Sequence, residues 1–198
     1  ANFEDRKTVF IILILLVGFF LRFYASRFPF VDDAPDWIRI VNDISFQKAN
    51  FNIPLFGSYH GPLTVYLLKL SSLLFGESMT GWRMVHILFS SLHLFIIYLF
   101  IKKGFSEKEA LFAMILSAFN VFSIWAVIEG AQEEFLLLFT TLALFNFWQA
   151  LIAKKGIYMV FSGISMGLGF LAKEVTLLII PPMLLYLLIF EENRIWFK

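Results

Sequence analysis

Two pairs of adjacent acids, Asp32-Asp33 and Glu133-Glu134, are the residues of this 198-residue chain whose type and placement best suit chemistry. Asp32-Asp33 follows the first long apolar stretch by about seven residues, and Glu133-Glu134 stands at the mouth of a later one. A charge at the centre of a bilayer costs roughly 2.5–3.5 kcal/mol on the insertion scale, and less near the interface. An acidic pair at that boundary can be held half desolvated. Two carboxylates brought from separate loops into one cleft could supply a general base, since a neighbouring like charge raises the pKa of such a group and makes it a stronger base. The second carboxylate could orient a nucleophile, bind a cation or coordinate a metal. The plain alternative is a set of solvated loop acids, and the residues alone leave both open.

Other polar groups accompany these acids. His60, just before Gly61-Pro62, could meet a phosphate at headgroup level, or be a loop residue and no more. Arg83, His86, Ser90 and His93 recur at spacings of three, four and three, which is one stripe of a helix. Ionisable groups within a membrane face the bundle interior or a cavity. Helix–helix hydrogen bonding suits His93 best, whereas Arg83 could also bind an anionic headgroup. Ser117, Asn120 and Ser123 read as groups that join helices, and Trp125 as an interface anchor. Gly163-x-x-x-Gly167 and Ser165-x-x-x-Gly169 read as small-residue packing motifs. The chain has no cysteine, which removes disulfides and thiolate metal sites, and no metal site is predicted.

The elements that must carry these residues are apolar helices. Hydrophobic residues make up 60% of the chain and charged ones 16%, against roughly 25% charged in soluble domains. A net charge of +1 gives no reason to expect nucleic acid. A bilayer core of about 30 Å needs roughly 20 apolar helical residues. Six stretches qualify in pattern, over about 8–25, 82–101, 110–128, 135–153, 156–172 and 175–190, the last two being short. Only Lys173-Glu174 separates those two, which predicts a tight hairpin, and Pro181-Pro182 predicts a kink or local unwinding. Residues 8–21 could serve as a signal peptide's apolar region, but no small-x-small cleavage pattern follows.

A further apolar stretch, 62–75, holds Lys69 and two serines and suits an interfacial amphipathic helix better than a span. Topology supports this. If 62–75 does not cross, nine of the 16 Lys and Arg fall on one side in short segments, as the positive-inside rule requires. The N-terminus is then cytoplasmic, residues 26–81 form a long external loop, and both acidic pairs share the external face. The fold class is therefore an all-α polytopic membrane bundle of about six transmembrane helices with a long first external loop.

The order of several short motifs carries a resemblance. After the first span and Asp32-Asp33 come Tyr59-His60-Gly61-Pro62-Leu63, Leu74-Phe75-Gly76 and Arg83. Tyr98-Leu99-Phe100 then precedes a basic turn, followed by Gly130-Ala131-Gln132-Glu133-Glu134 and by Gly167-Leu168-Gly169-Phe170-Leu171-Ala172-Lys173. Together they resemble the N-terminal part of the membrane module of GT-C-fold glycosyltransferases, nearest the protein O-mannosyltransferase and aminoarabinose-transferase-like group. The resemblance covers nearly the whole chain.

The resemblance implies a sugar donor on a polyprenyl phosphate and an acceptor hydroxyl on protein, lipid or glycan. It implies that Asp32 is the catalytic base, with Asp33 in place of the commoner Glu, and that transfer inverts the sugar carbon. Glu133 or Glu134 matches the second acidic position, where related oligosaccharyltransferases hold a divalent metal and the mannosyltransferase-like members do not need one. His60 falls where some members carry a Lys near the lipid phosphate, and Arg83 joins these as a substrate-binding candidate. No cofactor is expected beyond the lipid-linked donor. The membrane would be a prokaryotic plasma membrane or one of the ER type. Members usually continue through further spans, so the chain is expected to be one N-terminal module, inactive alone. Two other classes compete: a transporter or flippase component, favoured by Pro181-Pro182, and a non-catalytic membrane subunit. A transporter would place its ionisable groups near the midplane, whereas both acidic pairs here fall at one surface.

Overall fold

The computed structural model describes residues 3–29, 34–43, 61–130 and 132–190, and what it describes is helical, with no strand among those residues. In a bilayer each backbone polar group must be satisfied within its own segment, which is why long Leu-, Ile- and Phe-rich stretches become helices. Helix α1 runs Phe3–Ala25, α2 Ala34–Asp43, α3 Pro62–Phe75, α4 Met79–Gly104, α5 Glu107–Ala118 and α6 Val121–Glu129. Then come α7, Glu133–Ala153, α8, Gly156–Ala172, a 3-10 segment, Glu174–Ile179, and α9, Ile180–Ile189.

Helices stand at all six expected stretches, but they are not equal. Lys7–Ala25, Met79–Gly104 and Glu133–Ala153 are long and apolar enough to cross a membrane. The α5–α6 pair makes a fourth if it counts as one span, bent by 43°. Gly156–Ala172 and Glu174–Ile189 are shorter; the 17 residues of α8 rise roughly 25 Å. The outer face of α1, including Phe10, Leu13, Val17 and Phe20, is exposed and apolar. Such a face suits lipid and would be a liability in water. The protein is an integral membrane protein.

The bend between α5 and α6 has a local cause. α5 stops at Ala118, and Asn120 restarts the chain as α6 by accepting a hydrogen bond from the Ser123 N–H at 3.1 Å on its Oδ1. At the end of the chain, Pro181 and Pro182 fall in the first turn of α9, where their missing N–H groups cost nothing. The unwinding expected there is the 3-10 segment just before them. Met183 and Leu187 of α9 then pack on Phe147 of α7, with Met159 and Met166 of α8 beside them.

Contacts define two ends of the bundle. At the basic end the Glu107 carboxylate accepts from Lys7 at 3.0 Å, Lys102 at 3.2 Å and the Tyr98 hydroxyl at 3.1 Å. At the other, acidic end lie the C-terminus of α1, the start of α4, the end of α6, the start of α7 and the end of α8. Helix α3 meets this end twice. Its N-terminal Gly61 lies against the carbonyls of Leu171 and Ala172, and its Ser71 hydroxyl donates to the Gly81 carbonyl at 2.7 Å. It therefore does not run the length of the bundle.

Two features depart from the sequence reading. Helix α2 lies inside the stretch read as loop and packs Trp37, Ile40 and Val41 on Val65 and Leu68 of α3 and Trp82 of α4. Gly163 and Gly167 face open space among the described residues, so that motif packs nothing here. A β-carbon on Gly169, by contrast, would lie 2.6 Å from Thr176, so the Ser165–Gly169 face is the closely packed one.

Candidate functional site at the acidic end

Four arrangements build the acidic end. The first is centred on Arg83, fully buried near the start of α4. Its Nη1 donates to the carbonyls of Ser26 at 2.7 Å and Phe28 at 2.5 Å, and its Nη2 to those of Pro29 at 3.3 Å and of Ile128. One guanidinium thus ties the chain leaving α1 to the end of α6. A planar fork of donors is suited to this and a lysine is not.

The second is the junction of α3 with α8. A β-carbon on Gly61 would lie 2.1 Å from the Leu171 carbonyl oxygen, a backbone atom that cannot yield. Only glycine fits this approach, which brings Gly61 against the carbonyls of Leu171 and Ala172. Pro62 then opens α3 at the position where a proline is tolerated best.

The third is the ion pair between Lys173, just past α8, and Glu133, the first residue of α7. Both side chains are roughly three-quarters or more buried. Oε2 of Glu133 has no hydrogen-bond partner among the described residues.

The fourth is a buried network around Glu134, which is wholly inaccessible. Its Oε1 accepts from the Ser123 hydroxyl at 3.0 Å. Ser123 in turn accepts from Nη2 of Arg22 at 2.9 Å, and Nε of Arg22 donates to Ser90 at 2.5 Å. Ser90 and Ser123 are 3.2 Å apart. Arg22 and Glu134 also attract each other as opposite charges.

The expected site residues therefore divide. Glu133 and Glu134 stand at the acidic end but point apart, one to α8 and one into the bundle. Arg83 stands between the approach to Asp32 and the end of α6, with its Nη donors on main-chain carbonyls. Asp32, Asp33 and His60 lie outside the described residues. Of the stripe on α4, Arg83, His86, Ser90 and His93 are all buried, and His93 Nε2 bonds the Thr141 hydroxyl of α7 at 2.9 Å. Among the described residues no three His, Asp or Glu side chains gather as metal ligands. Sequence reasoning missed Arg22, which looks from sequence like one more charge near a span's end, and treated Lys173 as a turn residue. Its partner Glu133, beside a Gly-rich helix ending in Lys173, is the only signal that could have suggested otherwise.

A polytopic apolar bundle with buried arginines and carboxylates gathered at one end defines a class of integral membrane protein working at a membrane boundary. The family model described as dolichyl-phosphate-mannose-protein mannosyltransferase matches residues 59–198. The chain belongs to that family and is thus a membrane glycosyltransferase of the mannosyltransferase type. The family's description names a lipid-linked sugar as donor and protein as acceptor. The match includes His60, Arg83, Glu133, Glu134 and Lys173 and begins after Asp32-Asp33. Searches of curated proteins and of solved structures gave no match.

Proposed function

We propose that the protein moves a mannose-like hexose from a polyprenyl phosphate to an acceptor hydroxyl on the external face of the membrane, with inversion at the sugar carbon. Asp32 takes the proton from the acceptor hydroxyl. The freed oxygen attacks the anomeric carbon from the side opposite the phosphate, the bond to the phosphate oxygen breaks, and the lipid phosphate leaves with that electron pair. A phosphate needs little acid help to depart, whereas an alcohol needs a base, so one carboxylate at the lipid–water boundary is the minimum equipment. Asp33 assists Asp32, and His60 and Glu133 border the substrates, while Glu134, buried in the bundle, supports this end from behind.

The observation that supports this reading is that described residues near both motifs, Asp32-Asp33 and His60, are held at the same end of the bundle. Pro29, three residues before Asp32, is bonded by Arg83 at the acidic end. Gly61, next to His60, is seated on Ala172, whose neighbour Lys173 holds Glu133. Three residues of chain reach at most about 11 Å, so the bond to Pro29 supports the reading that Asp32 works at this end. Arg83 contributes by positioning that approach. The acceptor class is protein, lipid or glycan, protein being what the family's description names.

In the membrane, the chain crosses six times with the short α8 and α9 segments included, and the basic end is cytoplasmic. α3 lies at the external interface, its exposed Leu70, Leu73 and Leu74 facing lipid. The 198 residues act as one N-terminal module of a longer enzyme. Incubating the full native protein with a polyprenyl-phosphate mannose and a hydroxyl acceptor tests the reading. The product's anomeric configuration should be opposite to the donor's; retention, or no transfer from any lipid-linked sugar, would refute it.

A further inference from the structure

Arg22 has no assigned part in glycosyl transfer, yet it is the most completely bonded charge among the described residues. Its side chain is fully buried. A guanidinium has five N–H donors, and all five are used. Nε donates to Ser90, Nη1 to the carbonyls of Gly18 and Ala118, each at 3.1 Å, and Nη2 to the Ser117 carbonyl at 3.2 Å and to Ser123.

Two of these acceptors decide what the residue does. Ser117 and Ala118 are the last residues of α5, where the helix is broken; the Ser117 carbonyl also accepts from the Asn120 N–H at 3.3 Å, and Arg22 adds a donor to both carbonyls. Arg22 caps that end from another helix while Asn120 caps the start of α6. Through Ser123 the same guanidinium reaches Glu134 in the first turn of α7. One side chain on α1 therefore fixes the bend and the carboxylate together.

The two acids of the second pair thus act as opposed arms. Glu133 ties α7 to α8 through Lys173, and Glu134 ties it to α1, α4 and α6 through Arg22, Ser90 and Ser123. Gly130, which ends α6, and Gln132, which precedes α7, stand beside both arms in sequence.

We propose that Arg22 is a positioning residue for transfer: it holds Glu134 through Ser123 and closes the break of the bent span, and so sets how the α6–α7 turn faces the substrates. The proposal rests on the reading of the acidic end as the site of transfer. Arg22 acts on transfer through Glu134 and the bend it closes, not by contact with the reacting groups.

The test uses the full native protein with Arg22→Gln, Glu134→Gln, the double variant and Arg22→Lys. A misplaced catalytic frame costs rate by as much as about 10²-fold. Arg22→Gln and Glu134→Gln should each lower kcat well beyond ten-fold, with donor KM changed by about two-fold or less. The double variant should be no slower than the worse single, because each removes the same pair. Arg22→Lys should not restore kcat, since one ammonium cannot reach five acceptors. Multiplying effects in the double variant, or normal kcat in Arg22→Gln, would overturn the proposal. Thermal unfolding of the same four proteins keeps the two readings apart. If the unmutated protein transfers nothing, the site reading fails, and the pair still stands or falls on whether the two losses in Tm coincide or add.

Discussion

At the scale of single residues, the acidic end is governed by two buried arginines that treat backbone as their partner. Removing a charged hydrogen bond in a folded protein costs roughly 1.5–3 kcal/mol. Arg83→Lys keeps the charge but cannot span the carbonyls of Ser26, Phe28, Pro29 and Ile128. Thermal unfolding in detergent should show a destabilisation of about 3 kcal/mol, two such bonds at the lower figure. An unchanged Tm would mean the fork is dispensable. The sequence located Arg83 on a polar helix stripe and implied a substrate contact; the carbonyls it binds come from two distant segments, which no spacing rule can supply. Glu133 and Glu134 were legible as a pair but not as a divided one. Adjacent helical residues point about 100° apart, so a helix starting at Glu133 forces them toward different neighbours. Asp32, Asp33 and His60 stand on sequence and resemblance, and their roles are proposals.

At the scale of elements, helix formation was readable wherever an apolar run was long. The cores of α1, α4 and α7 follow from hydropathy, and the bounds of α3 from Gly61-Pro62 at one end and Phe75-Gly76 at the other. The bend at Phe119-Asn120 was not readable, because the run from 110 to 128 stays apolar on both sides and the break depends on Arg22 and Asn120. Asn120→Ala should cost about 1 kcal/mol through the lost cap, and Asn120→Ser should recover most of it, as measured by thermal unfolding. Helix α2 escaped notice because it is only ten residues long, though Trp37 with Ile40 and Val41 has helical spacing. The seat of α3 on α8 depends on one missing methyl group. Gly61→Ala should lift the N-terminus of α3 and destabilise the protein by about 1–3 kcal/mol, the range for overpacking. A lowered Tm is the expected readout, and an unchanged Tm would show that the junction tolerates a side chain.

At the scale of the whole molecule, charge is sorted along the bundle axis. Lys7, Lys102 and Glu107 mark one end, and Arg83, Glu133, Glu134 and Lys173 the other. Nine of the 16 basic residues fall on the first side if the chain crosses six times, and the proposed cytoplasmic side rests on that count. The absence of cysteine makes this easy to examine. Lys108→Cys should react with a membrane-impermeant maleimide only after permeabilisation, and Glu77→Cys in intact cells. The reverse pattern would invert the topology and remove the acidic end from the external face. The short α8 and α9 segments make this the scale at which sequence was least decisive, because their lengths fall below an average bilayer core.

The account stands most directly on Asp32. Transfer from a polyprenyl-phosphate mannose should be measured in the full native protein carrying Asp32→Asn, with expression checked alongside. Loss of a general base predicts a fall in rate of about 10²–10⁴-fold with the protein still made and inserted. Near-normal transfer by Asp32→Asn would contradict the account.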